Sequence, residues 1–205
     1  DLATSPSGYT DAYPWDNEFH PGEYLFQMFF NSKFRENWRA GVLKLITTKN
    51  PYTGQTLAED PAVAVMLFFN EQDIRFGYGG DATGLGRYMD DSWREWLRQR
   101  YGTVEILAKA WGDVSMSGDG TFKSVPGIDA KAYKAGGAMG QDIERFFIES
   151  SEQLTNWYLQ VVEKEAGYKG LTSQWDMLYR LGEIRLKAMQ PVVSAHTYQA
   201  HPSDH

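Results

Sequence analysis

The sequence predicts an α/β fold whose strands pair in parallel. Three observations indicate it: an apolar run at 62–69 that has the length of a buried strand, two further strand candidates at 171–175 and 192–196, and helical periodicity between them. Because strands that alternate with helices usually pair in parallel through crossover connections, we expect the three strands to lie in one sheet.

The first element after the chain start is expected to be a long loop over residues 1–31, which are rich in Pro, Gly, Ser and Asp and show no sustained period. A helix is predicted from Asn31 or Ser32 to about Thr47, because large apolar residues recur there at helical spacing. A turn at 50–54 then leads to the first strand.

Most of the segment between the first and second strands is predicted to be helical. Residues 112–138 contain six glycines and few large apolar groups, so a second long loop is expected there. Helices are predicted from about residue 91 to residue 111 with a break at Gly102, over 139–166 with an end at Gly167, and over 177–189.

The composition excludes several classes of function. Asp and Glu outnumber Lys and Arg by 27 to 20, which gives a net charge of −7 and no general attraction for nucleic acid or anionic lipid. The sequence has no cysteine, so disulfides, thiolate zinc sites and cysteine nucleophiles are excluded. The longest apolar run is far too short to span a bilayer. We therefore expect neither a nucleic-acid partner nor a membrane span.

Polar side chains follow each predicted strand at its carboxyl end. In parallel α/β folds this edge is where ligands bind, so the pattern predicts a ligand site there. The residues concerned are Asn70, Glu71, Gln72 and Asp73 after the first strand, Gln174, Trp175 and Asp176 after the second, and His196, Thr197 and Tyr198 after the third.

Glu71 is the main catalytic candidate at this edge. A carboxylic acid at the mouth of an apolar strand is partly desolvated, which would raise its pKa towards a value useful for proton donation. Asn70 beside it could hold a substrate hydroxyl. The alternative is that residues 70–73 form a solvated turn, because a motif this short often occurs by chance.

Several stretches of the sequence occur in the order of a known family. They are NPYTG at 50–54 leading to Asn70-Glu71, WLRQRYGT at 96–103 with LAKAWG at 107–112, and HTY at 196–198 with His201-Pro202. Together they resemble retaining glycoside hydrolases of the clan A type, which are TIM-barrel enzymes related to the cellulase, mannanase and β-galactosidase families. The resemblance spans nearly the whole chain.

The resemblance implies a (β/α)8 TIM barrel, of which this chain supplies roughly the end of strand 3 to strand 6. It implies that Glu71 is the general acid/base and that Asn70 binds the sugar hydroxyl next to the cleaved bond. The remaining contacts to substrate and nucleophile would come from Gln174, Trp175, His196 and Tyr198.

The nucleophile is expected outside this chain. In the family it is a Glu at the end of the seventh strand, whereas the sequence stops at His205, just past the sixth. We therefore expect the rest of the polypeptide, or a complementary chain, to close the barrel, and the isolated 205 residues to be inactive. Asp73 and Asp176 are weaker candidates, since neither would stand across the barrel from Glu71.

Trp15 lies in a polar loop and is a candidate for stacking on a sugar ring, whereas Trp111, on a helical stripe, is better explained by core packing. His196, His201 and His205 match no usual zinc spacing, so neither a metal nor a cofactor is expected.

The expected function is hydrolysis of a β-linked poly- or oligosaccharide by a secreted or periplasmic enzyme. The alternatives are a non-catalytic carbohydrate-binding protein on the same fold, and an unrelated α/β protein.

Overall fold

The computed structural model describes residues 24–69, 72–74, 85–112, 120–128, 130–174 and 181–194. The chain divides into two compact units. The first, called the strand unit here, comprises Val42–Gln72 and Thr155–His205 together with the first four residues. The second, called the helical unit, comprises Ser5–Gly41 and Asp73–Leu154.

Helices make up most of the described residues. In chain order the elements are α1 (Tyr24–Gln27), α2 (Ser32–Thr47), β1 (Val65–Leu67), α3 (Leu85–Tyr101), α4 (Val104–Trp111), a 3-10 turn (Phe122–Ser124), α5 (Ala130–Ala135), α6 (Gly137–Leu159), a π-helical turn (Gln160–Glu165), β2 (Leu171–Ser173) and α7 (Leu181–Lys187).

Strands β1 and β2 pair in parallel in the strand unit. Val65 lies opposite Leu171, and Leu67 lies opposite Ser173. The backbone N–H of Phe68 donates to the carbonyl of Ser173 at 2.9 Å, which continues the pairing to the carboxyl ends of both strands. The predicted parallel pairing of the first two strands is therefore confirmed, although each strand is only three residues long.

The prediction of a (β/α)8 TIM-barrel segment is wrong. A barrel joins adjacent parallel strands through a short crossover, whereas here the described chain forms α3, α4, α5 and α6 between β1 and β2. In the described ranges the sheet has two strands. The third predicted strand, at 192–196, is not a strand over 192–194, the part that is described. The described sequence between β1 and β2 forms four helices in succession, whereas a barrel would need a strand after each helix.

Helix α2 has the predicted bounds, and its apolar stripe is buried as the periodicity requires. Phe34 retains 4% of its exposure, and Trp38, Val42 and Ile46 are fully buried. Just before the helix, the side-chain oxygen of Asn31 accepts the backbone N–H of Lys33 at 3.0 Å, which satisfies one of the free donors of the first turn.

Glycines end helices where the backbone is left-handed. Gly102 separates α3 from α4 with φ 74°, and Gly167 follows the π-helical turn with φ 74°. Both positions were predicted from the sequence. A side chain is disfavoured at such φ values, so glycine stops each helix at a defined residue.

Residues 112–138, expected to be a loop, include a 3-10 turn and helix α5. Helix α5 is held on α6 by Tyr133. Its hydroxyl donates to the Glu144 carboxylate at 2.5 Å, and its ring lies 5.7 Å from the ring of Phe147. Residues 1–31 likewise include the four-residue helix α1 in their described part.

An aromatic cluster forms the centre of the helical unit. Trp93 is fully buried and stacks on Trp96 at 5.5 Å and on Trp111 at 6.0 Å between ring centroids. Phe146 of α6 packs against Trp93 at 5.3 Å. Trp111, which is half-buried, therefore packs against this core from the helical stripe on which it was predicted to lie.

Candidate functional site

Three buried polar side chains, called the strand-end cluster here, meet at the carboxyl ends of β1 and β2. They are Gln72, Tyr158 and Gln174. The Gln174 amide nitrogen donates to Gln72 Oε1 at 2.7 Å, and the Tyr158 hydroxyl donates to the same oxygen at 3.1 Å. The expectation that polar residues following the first two strands meet at one edge is confirmed for Gln72 and Gln174.

The register of the two strands and an aromatic contact hold this cluster in place. Because side chains alternate along a strand, Gln174 shares a face of the sheet with Thr172. The Tyr158 ring lies 5.4 Å from the ring of Phe68 and 5.7 Å from that of Phe69, directly after β1. The Tyr158 hydroxyl, carried by helix α6, therefore lies at the carboxyl end of β1.

The strand-end cluster contains an unused acceptor. Gln174 retains 1% of its exposure, and its Oε1 atom has no hydrogen-bond partner among the described residues. The hydroxyl oxygen of Thr172 is buried without a partner in the same part of the chain. A buried polar atom left unpaired costs roughly 1–3 kcal/mol. A ligand hydroxyl that donates to Gln174 would remove this cost.

A second polar group lies beside the end of β2. The hydroxyl oxygens of Ser173 and Ser194 are 3.1 Å apart, and the ammonium group of Lys187 donates to the carbonyl of Ser194. Lys187 is buried despite its charge. These contacts bring the segment that precedes His196 alongside β2, although the described part of it is not a strand.

Most of the predicted site residues lie outside the described residues. Gln174 is described and belongs to the strand-end cluster. Asp73, a weaker nucleophile candidate, is buried in the helical unit. The residues outside the described ranges are Trp15, Asn70, Glu71, Trp175, Asp176, His196, Tyr198, His201 and His205.

Sequence reasoning missed two polar residues of the strand unit. Tyr158 was expected only as part of the apolar face of a helix, yet its hydroxyl is the polar end of a buried ring. Glu183 retains only 2% of its exposure in α7, one turn before the buried Lys187. The i, i+4 spacing of an acid and a base in the sequence was the available signal for these two residues.

A cleft of about 830 Å³ lies at the amino ends of β1 and β2 in the strand unit. The carboxylates that line this cleft already accept hydrogen bonds from the loop in which they lie. Glu59 accepts the backbone N–H and the hydroxyl of Thr56 at 3.1 and 2.9 Å, and these hydrogen bonds lower the pKa of Glu59. Asp60 accepts the backbone N–H of Ala62 at 2.9 Å. We assign these carboxylates to loop structure.

The buried carboxylate of Asp142 links α3, α4 and α6 in the helical unit. It accepts the Tyr101 hydroxyl at 2.5 Å and the Trp111 indole N–H at 2.9 Å, and Arg100 Nε lies 3.3 Å away. Burial, followed by the hydrogen bond to Asp142, raises the pKa of Tyr101. With three partners around it, Asp142 has a structural role.

Within the part of the chain that is described, no helix has both the length and the apolar character needed to cross a bilayer. The chain finds no match among protein-family models, curated proteins or solved structures.

Proposed function

We propose that this chain carries the acid/base side of a retaining glycosidase site that acts on β-linked poly- or oligosaccharides. The observation that carries the proposal is the 2.7 Å hydrogen bond between Gln174 and Gln72. It joins the segment that directly follows Glu71 to the segment that directly precedes Trp175. Gln72 and Gln174, which flank these candidate residues in the sequence, meet at one edge of the sheet, and this supports the proposal.

In the proposed reaction, Glu71 gives its proton to the glycosidic oxygen as the bond to the anomeric carbon breaks. A glutamate from outside residues 1–205 forms the glycosyl-enzyme bond at that carbon. Glu71 then takes a proton from the water that displaces this glutamate and releases the sugar. Asn70, Gln174, Trp175, His196, Tyr198 and Trp15 are the proposed sugar contacts.

Two further observations support a carbohydrate ligand. The unpaired Oε1 of the buried Gln174 requires a donor, and a sugar hydroxyl is one. The net charge of −7 disfavours polyanionic ligands but not neutral glycans. Secretion to the cell exterior or periplasm, where polysaccharides are met, is part of the same proposal.

The test is Glu71→Gln in the longest natural polypeptide that contains this sequence, assayed on a panel of β-glucans, β-mannans and β-galactosides. Loss of a general acid/base should lower turnover by about 100-fold or more. Azide should restore turnover of aryl glycosides with good leaving groups, because it replaces the water that Glu71 would activate. Glu36→Gln, a change of the same chemistry at an exposed surface ion pair, should leave turnover unchanged.

Unchanged turnover in Glu71→Gln would overturn the proposed role of Glu71. The neutral character of the strand-end cluster supports a second candidate, a non-catalytic carbohydrate-binding protein, since amides and hydroxyls bind sugars without reacting. Glycan binding with no turnover in the unaltered polypeptide would establish this second candidate in place of the hydrolase.

A further inference from the structure

Tyr52 is the most exposed large apolar side chain among the described residues. It retains 95% of its exposure, whereas Val193, the next most exposed of these, retains 63%. A single exposed apolar residue is common on protein surfaces. The loop that carries Tyr52 and the cleft beside it give this one a further meaning.

The loop is closed by hydrogen bonds of its own. The backbone N–H of Asn50 donates to the carbonyl of Gln55, and that of Gly54 donates to the carbonyl of Asn50, both at 2.8 Å. The backbone N–H of Tyr52 donates to Asn50 Oδ1 at 2.9 Å. Because this backbone is already fixed, docking Tyr52 against a partner would order little more than two side-chain torsions.

Residues 48–55, called the Tyr52 loop here, project from the rim of the cleft at the amino ends of β1 and β2. The loop joins Thr47 to Thr56, and both of these residues line the cleft. Its base is closed by the backbone N–H of Ala58, which donates to the carbonyl of Ile46 at 3.3 Å. A rigid projection and a cleft of about 830 Å³ therefore lie side by side in the strand unit.

The lining of the cleft suits a ring that carries a hydroxyl. Leu171, which lines the cleft, is 47% exposed, and Val65 opposite it is 44% exposed, so they form an apolar surface that is open to a partner. The hydrogen bonds of the loop to the two carboxylates go to Glu59 Oε2 and Asp60 Oδ1. Glu59 Oε1 and Asp60 Oδ2 are left for a further donor, such as a phenol hydroxyl.

The Tyr52 loop and the cleft carry opposite charge. Lys49 is the only charged residue of the loop. The cleft has the carboxylates of Glu59 and Asp60 against one ammonium group, that of Lys169. Since backbone N–H groups and a hydroxyl donate to these carboxylates, their negative charges are not neutralised by the loop. The loop of one molecule is therefore attracted to the cleft of another.

We propose that this surface joins two copies of the chain about a twofold axis, with Tyr52 of each copy in the cleft of the other. An interface between identical chains requires a surface that complements itself, and a projection beside a cleft of opposite charge does so. The two rings alone bury well under the roughly 1,200 Å² of a stable complex, so we expect a weak, concentration-dependent dimer. The inference does not depend on the proposed role of Glu71.

The first test is sedimentation velocity of the full chain from micromolar to millimolar concentration, which should show a reversible equilibrium between monomer and dimer. Tyr52→Ala should weaken dimerisation at least about 30-fold, because each dimer loses two buried aromatic anchors. The side chain is almost fully exposed in the monomer, so this substitution should leave urea unfolding of the monomer unchanged. Ile106→Ala is the matched control, since Ile106 is 54% exposed but lies on α4 in the helical unit.

The second test identifies what Tyr52 contacts. With the photo-crosslinker p-benzoylphenylalanine in place of Tyr52, a mixture of ¹⁴N- and ¹⁵N-labelled chains should give crosslinked peptides that join residue 52 of one label to the cleft segments 58–64 or 167–171 of the other. The same crosslinker in place of Ile106 should not reach these segments. A chain that stays monomeric at every concentration, a dimer that survives Tyr52→Ala, or crosslinks that avoid the cleft would overturn the inference and leave the Glu71 proposal standing.

Discussion

Gly127 lies so close to the carboxylate of Asp90 that a methyl group at residue 127 would overlap both carboxylate oxygens. The backbone N–H of Ile128 donates to the same carboxylate. One helical turn on, Trp93 Nε1 donates to the carbonyl of Pro126 at 3.3 Å, and Arg94 donates to that of Val125 at 3.0 Å. Residues 125–128 are therefore held on α3 by three side chains of one helix face, those of Asp90, Trp93 and Arg94.

Gly127→Ala should lower the free energy of unfolding by about 1–3 kcal/mol, because the added methyl group displaces Asp90 or the 125–128 segment. Urea unfolding followed by tryptophan fluorescence measures it. In an Asp90→Ala background the same substitution should cost much less, since the overlapping carboxylate is gone. Gly112→Ala is the control: its φ of 73° gives a cost of about 1 kcal/mol that Asp90→Ala leaves unchanged. An equal cost of Gly127→Ala in both backgrounds would disprove the overlap.

Asp90 should make stability depend on pH. Burial raises the pKa of Asp90 above its ordinary value of 3.8. The native carboxyl therefore keeps its proton to higher pH than the unfolded one, and in the range just above pH 3.8 the native state binds more protons. The free energy of unfolding should fall through this range as pH rises, relative to Asp90→Asn, which does not titrate. Urea unfolding of both proteins across this range is the measurement, and a rising difference would contradict the assignment.

Asp142→Ala should destabilise the helical unit by about 1–2 kcal/mol, because the half-buried Tyr101 hydroxyl and Trp111 N–H lose their shared acceptor together. The change should appear in chemical unfolding as a lower midpoint. Glu36→Ala, which removes an exposed ion pair with Arg39 at 2.9 Å, should cost at most about 0.5 kcal/mol. Similar costs for the two variants would show that Asp142 is not the structural link between α3, α4 and α6.

The strand-end cluster should respond to substitutions as a unit. Gln72→Leu alone should cost about 3 kcal/mol, because it leaves the Gln174 amide and the Tyr158 hydroxyl buried without their shared acceptor. The triple variant Gln72→Leu, Tyr158→Phe, Gln174→Leu should regain most of that loss, since no polar group is then left unpaired. Additive losses in thermal or urea unfolding would show that the three side chains do not form one network.

The helices could be predicted from the sequence far better than the sheet. The bounds of α2 and the breaks at Gly102 and Gly167 follow from local rules: apolar periodicity, and glycine where φ is positive. Of the apolar run at 62–69, only three residues form a strand. The barrel prediction was wrong because strand pairing depends on partners far along the chain, which local sequence patterns do not specify.

The same distinction applies to the candidate site. Gln174 was predicted, since a polar residue after a buried strand is visible in the sequence. Its partner Tyr158 was not, because the hydrogen bond from Tyr158 to Gln72 joins residues 86 positions apart, and helical periodicity describes only which side of α6 is buried. The docking of residues 125–128 on α3 was missed for the same reason.

The separation of the two strands along the chain has a consequence for synthesis in the cell. Gln72 leaves the ribosome 102 residues before Gln174, the residue to which it bonds. At ordinary translation speeds that is a delay of roughly 5 to 20 s, during which β1 and the phenylalanines after it have no strand partner. Local helices form in microseconds, so most of the delay is spent with the helices already made and the sheet still open. We therefore expect nascent β1 to be exposed to chaperones for most of this interval.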